Sequence, residues 1–266
     1  MNNTEEHVIY IKKIKKDKRI ILTIQILILL LALLSWELLS KYHIINTFLS
    51  SSPKEVIKTI ISLSKDKTLL KHIGITTYET IISFTITSII SFIISVIMFM
   101  SKKFAKIIDP YLTVINSLPK VALGPLIIIW IGASIKSIIF MAILISLFTT
   151  TINMYNAFNS TNSNYIKLLK SFNASKKDIL FKVVIPSNKK NIISLLKVNI
   201  GLTLIGIIMG ELLVSKEGLG YLIMYGSQVF NINLVISSVF ILGILAFIMY
   251  EVINILQFII NKKEEI

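Results

Sequence analysis

The chain has no cysteine, three histidines and a single arginine, Arg19, among 28 basic residues. The first absence excludes disulfides, thiolate metal sites and a cysteine nucleophile. His7, His43 and His72 are scattered, with no second ligand at metal spacing, so no metal centre is expected. No Gly-x-x-x-x-Gly-Lys-Ser/Thr loop cradles a phosphate, and no nucleophile stands in an acid–base constellation, so neither a cofactor site nor an enzyme site is expected in this chain. Charge is also scarce. Only 16% of residues are charged against 54% apolar, and mean hydropathy is +0.78. Runs of about 20 apolar residues place the chain in membrane lipid as an all-α protein. A net charge of +14 would suit nucleic acid, but the lysines gather at the ends of apolar runs and form no stripe with interleaved aromatics. No nucleic-acid partner is expected.

Apolar length and turn punctuation predict six spans, near residues 20–39, 73–100, 111–131, 137–157, 192–214 and 234–260. The first is too long for a signal-peptide core and lacks a small-x-small cleavage site, so it reads as a retained helix. The expected organisation is a basic cytosolic N-terminus at 1–19, a transmembrane domain at 20–261 and a cytosolic tail at 262–266. With both termini in the cytosol, 18 of the 28 basic residues fall on the inner side. The first external loop, 40–72, runs against this with six lysines. Within it, Ser52-Pro53-Lys54-Glu55 sets a serine N-cap, a proline at N1 and a glutamate at N3, which starts a short helix whose Val56, Ile57, Ile60 and Leu63 share a face.

The cytosolic segment 159–191 is the most informative. It carries seven lysines against one acid, Asp178. Lys167-Leu168-Leu169, Asn173-Ala174 and the aliphatic run Val183, Val184, Ile185 before Pro186 predict two short helices meeting at Asn173, a rigid surface for a soluble partner. Asn173 is the non-glycine residue that best tolerates the left-handed geometry such a turn requires. Two prolines and a glycine, Pro119, Gly124 and Pro125, interrupt the third span beside Lys120, and the freed backbone groups need protein or water around them. Lys120 can attract an anionic solute or reach to an interface. Glu79, beside Thr76, Thr77 and Thr80, and Glu211 are carboxylates within or near spans, where charge is costly, and are candidates for a translocation path. Gly206 and Gly210 permit close helix contact, within one chain or between two.

Trp36-Glu37-Leu38-Leu39, Leu49-Ser50-Ser51-Ser52-Pro53, Asp109-Pro110-Tyr111, the run from Leu118 to Pro125, Ile129-Trp130-Ile131-Gly132, the 165–188 segment and Gly218-Leu219-Gly220-Tyr221 follow one another as in a known family. In order and spacing they resemble the ABC importer permeases for nitrate, sulfonates, taurine and related solutes. That resemblance implies a type I importer permease fold in the plasma membrane and a homodimer around a translocation path. It also implies two cytosolic ATPases that bind ATP and Mg²⁺, and a lipid-anchored or periplasmic binding protein that delivers a small, anionic solute. A permease for a thiamine precursor or another small organic molecule fits the same residues. The family's Glu-Ala-Ala is Lys167-Leu168-Leu169 here and its glycine is Asn173, so the matching ATPase groove is expected to be more acidic. A self-contained carrier or channel, with Glu79, Glu211 and Lys120 as an ion relay, is the reading from another class.

Overall fold

The computed structural model describes residues 3–262; Lys263 of the expected tail lies outside them. The described chain is helical apart from its turns and loops, with no strand. α1 (Asn3–Lys41), the one-turn α2 (Thr47–Ser50) and α3 (Pro53–Lys65) lead into α4 (Thr68–Met100), α5 (Lys102–Ser117), a 3-10 turn (Lys120–Leu123), α6 (Gly124–Ile131) and α7 (Ile135–Asn159). α8 (Ser163–Ser171), α9 (Lys176–Ile179), a π-helical turn (Leu180–Val184) and the short α10 (Ile185–Ser187) form the basic segment before α11 (Lys189–Val214), α12 (Leu219–Gln228) and α13 (Ile232–Lys262). Among the described residues, five helices, in α1, α4, α7, α11 and α13, are long and apolar enough to cross a membrane.

The expected third span, 111–131, is not one helix. Its first part belongs to α5, which already begins at Lys102. After Ser117 the axis turns by 84° into the Lys120–Ile131 stretch, because Pro119 supplies no backbone donor and Leu118 before it is held extended at ψ 143°. Counted as one bent span, this pair gives six. Within the single chain, Gly124 and Ile127 are the buried residues of α6, while Leu118, Val121, Ile129 and Trp130 are exposed.

The bundle core is polar at its centre. α4 places Thr76, Thr80, Ser83, Thr87, Ser91 and Ser95 on one stripe, all fully buried against α7 and α11. Small hydroxyl side chains let helices approach closely in lipid and bond across the gap. Thr87 pairs with Ser146 at 3.0 Å, Ser95 donates to the Thr151 carbonyl at 3.0 Å, and Asn199 accepts from Thr150 while donating to Ser88. Gly206 and Gly210 face Ala142 and Ile138 of α7, so the glycine pair serves helix contact inside one chain. At the end of the bundle, α3 starts as its sequence predicts. Ser52 accepts from the Glu55 amide at 3.3 Å, while the Glu55 carboxylate turns to Lys58 instead of closing a capping box. Val56 is buried, Ile60 and Leu63 pack on the core around Leu234 and Ile241, and Ile57 is exposed.

Candidate functional site

The basic segment folds as a capped hairpin of short helices. Ser175 caps α9 by accepting from the Asp178 amide, and α8 ends in a Schellman turn, where Ala174 N–H donates to the Leu169 carbonyl and Asn173 N–H to that of Lys170. Asn173 sits at φ 55°, the left-handed position anticipated from its identity. Replacing it with glycine is expected to be tolerated, whereas Asn173→Val should cost about 1–2 kcal/mol, because a β-branched residue is disfavoured there. Proteolysis of the segment in membranes reads the difference; equal resistance of both variants would contradict it.

Beneath the surface, Ile166, Leu169, Ala174 and Ile185 pack on a cluster of Met154, Phe158, Ile179, Leu180 and Val184. Lys167, Leu168 and Pro186 stay exposed, and Val183 is half-buried. The π-helical turn precedes Pro186, whose ring would clash with the fourth carbonyl back in a regular helix, and the wider turn relieves that clash. Lys176 donates to the Met100 carbonyl at 3.1 Å, capping the C-terminus of α4 and tying the hairpin to the bundle. Asp178 lies between the Lys182 ammonium and the Ser175 hydroxyl, which together hold its carboxyl down to about 2, so it is ionised far below neutral pH. The segment thus presents a fixed, basic, partly apolar face.

Near the bend, Lys120 donates to Asn116 Oδ1 at 2.8 Å and to the Ile145 carbonyl at 3.2 Å, and Thr149 donates to the same Asn116 oxygen. A Cβ on Gly124 would lie 2.6 Å from Leu213 Cδ1 and 3.2 Å from Met141 Cε, so a side chain there requires these two tips to move. Pro119 and Pro125 flank this glycine and are exposed.

The opposite end of the bundle brings Glu79 and Glu211 together. Glu211 is 1% exposed and closes the start of α12. Its carboxylate accepts from the Thr76 hydroxyl at 2.7 Å and from the Gly220 amide at 2.6 Å. The Leu219 amide donates to Thr76 Oγ1 and the Gly218 amide to His72 Nδ1, both at 2.9 Å. Three orphan donors of one helix are therefore met by side chains from α4 and α11. Gly218 has φ 104°, and a Cβ there would overlap the Glu211 carboxyl. The sequence pointed to Glu211 and to the Gly218-Leu219-Gly220 turn, but not to His72 or Thr76 as their partners, since nothing local links residues more than 130 positions apart. Glu79, one turn after Thr76, is fully buried, and the neighbour within hydrogen-bonding reach of its carboxyl is the carboxyl of Glu211; no amide, hydroxyl or ammonium among the described residues donates to it. It forms part of the wall of a cavity of about 360 Å³ whose rim includes Ser134, Ser215, Lys216 and Glu217.

Residues 88–265 match the family described as the inner membrane component of binding-protein-dependent transport systems. The chain belongs to this family. It is 27% identical over 241 residues to the formylaminopyrimidine transport permease protein ThiX of Halalkalibacterium halodurans, covering 90% of this chain and 96% of that one. To the taurine transport system permease protein TauC of Escherichia coli it is 20% identical, covering 91% and 89%. A solved structure of the MetNI methionine ABC transporter in an inward-facing conformation superposes with a TM-score of 0.64 at 16% identity, over 71% of this chain and 94% of that one. The fold is that of a type I ABC importer permease, and the chain is a membrane-embedded transport component.

Proposed function

We propose that two copies of this permease form the translocation path of an ATP-driven importer, with two cytosolic ATPases docked on the 163–187 hairpins and a binding protein delivering solute to the opposite side. The hairpin carries this reading. A rigid face with exposed Lys167, Leu168, Lys170 and Phe172, braced on Phe158 and tied to α4, suits a soluble partner that must push on the membrane bundle. A carrier driven by an ion gradient needs no such face.

Orientation follows from lysine. The hairpin, the start of α5 and the basic stretch 12–19 lie on the cytosolic side if both termini do. The Glu79 cavity then opens outward. The homodimer is supported by the bend at Pro119. Irregular backbone is not stable against lipid, so the exposed residues around Leu118 and Val121 belong against a second copy and the path between the copies.

Purified with its ATPase and binding protein and placed in liposomes, the permease is expected to import solute only when ATP is present. Lys167→Glu should reduce co-purification of the ATPase at equal membrane insertion, since the docking groove is expected to be acidic. Uptake by the permease alone, driven by an ion gradient, would refute the reading.

A further inference from the structure

Lys120 carries a charge near the middle of the membrane that no carboxylate among the described residues answers. Its acceptors are Asn116 Oδ1 and the Ile145 carbonyl, and Ile145 lies ten residues into α7, about 15 Å along it. The ammonium is turned against α7 instead of reaching to either interface, and a cation held at this depth is costly without a counter-charge. The same bonds orient Asn116. An ammonium only donates, so the Asn116 oxygen faces Lys120 and Thr149, and its NH₂ group is left without an acceptor among the described residues. What the cluster still offers is donors and positive charge alone. From there towards the hairpin, Thr149, Asn153, Asn156 and Ser160 recur at steps of four, three and four, which sets them along one narrow face of α7. The last three, with Asn191 and Ser194 of α11, line a cavity of about 380 Å³ that has no acid in its wall. Lys189 and Lys190 begin α11 at the same end.

Resting on the import reading, we infer that Lys120 and Asn116 form a solute-binding site at the head of the inner half of the translocation path, that the polar stripe of α7 is the wall of that half, and that the site takes an anionic oxygen group such as a sulfonate, a carboxylate or nitrate. Such a group supplies both things the cluster lacks, acceptor oxygens and a counter-charge. Charge-assisted N–H···O bonds at low dielectric are the strong kind. The stripe below suits release. Its amides and hydroxyls can replace part of a solute's hydration shell without holding it as a second lysine would, and a path conducts only where binding is weak enough to leave. A solute whose only charge is an ammonium is repelled at Lys120. In the homodimer each copy brings one such site to the path at the same depth.

Because the permease has no cysteine, thiol labelling tests this on the complete transporter, assembled with its ATPase and binding protein in nanodiscs of uncharged lipid. Asn153→Cys, one turn from Thr149 on the stripe, and Ser160→Cys, at the hairpin end with Lys189 and Lys190, are each treated with two methanethiosulfonates. One reagent carries a sulfonate and the other a trimethylammonium group, and added mass on the permease gives the two rates. Both thiols are expected to react, with the sulfonate-to-ammonium rate ratio about tenfold higher at Asn153→Cys than at Ser160→Cys, where water screens the lysines. Adding Lys120→Gln should lower the ratio at Asn153→Cys by about tenfold and leave that at Ser160→Cys unchanged, while Lys120→Arg keeps both. An Asn153→Cys thiol that does not react overturns the path. A ratio equal at the two positions, or unmoved by Lys120→Gln, overturns the anion site. Should Lys120→Gln fail to assemble, the comparison of the two thiols with Lys120 in place still decides. The import reading fails by a separate sign, namely uptake that ignores ATP or ATP hydrolysis that does not respond to the binding protein.

Discussion

Glu211→Ala is expected to destabilise the permease by roughly 2–4 kcal/mol. Two buried donors, the Gly220 amide and the Thr76 hydroxyl, lose their acceptor, and each orphaned group costs about 1–3 kcal/mol; the carboxylate's own desolvation cost disappears with it and trims the sum. The damage should be local first. Amide exchange at Leu219 and Gly220 is expected to accelerate before the rest of the bundle, since these amides head a helix held from outside its own sequence. Glu211→Gln keeps one acceptor oxygen and should fall between. Unfolding in detergent measures the size of the effect, and an unchanged midpoint for Glu211→Ala together with unchanged exchange at Gly220 would show that the carboxylate does not support α12.

Gly206→Leu should be costlier still, at roughly 3 kcal/mol or more, because the atom that any side chain there would strike is the backbone of Ala142, which cannot swing aside as a side-chain tip can. Gly210, with Ile138 Cα 2.9 Å from its virtual Cβ, should behave alike. Gly201 on the same helix is the control. Nothing lies within 4 Å of it, so Gly201→Ala should be neutral or stabilising by up to about 1 kcal/mol through helix propensity. Measuring the folded yield and the unfolding midpoint of all three variants separates packing from composition: a Gly206→Leu protein as stable as Gly201→Ala would mean that α7 and α11 do not meet as closely as described.

Much of the fold was legible because apolar length is a direct consequence of bilayer thickness. The helices α4, α7, α11 and α13 fall near their expected ranges, and Asn173 could be placed at a left-handed turn from its side-chain chemistry alone. The break in the third span was legible from Pro119, Gly124 and Pro125, but neither the start of its first helix at Lys102 nor the size of the bend was, because apolar character continues through Leu118 and Pro119 while the backbone does not. Hydropathy is blind to an 84° bend. The hydroxyl stripe of α4 was readable in principle, as serine and threonine recur every three or four residues from Thr76 to Ser95, yet it is hidden in a segment that scores simply as apolar. The pairing of Glu211 with Thr76, and of His72 with Gly218, is a tertiary fact. It depends on which ends of α4 and α11 share a side of the membrane.

α4 touches both ends of this arrangement: its last carbonyl holds Lys176 of the hairpin, and its second and third turns hold the head of α12 through His72 and Thr76. With 33 residues at 1.5 Å each it is about 50 Å long and contains no proline, so it behaves as a connecting rod without slack. A displacement of the hairpin therefore has a direct path along one helix to the cap over Glu211, some 35–40 Å distant, and to the mouth of the Glu79 cavity one turn away.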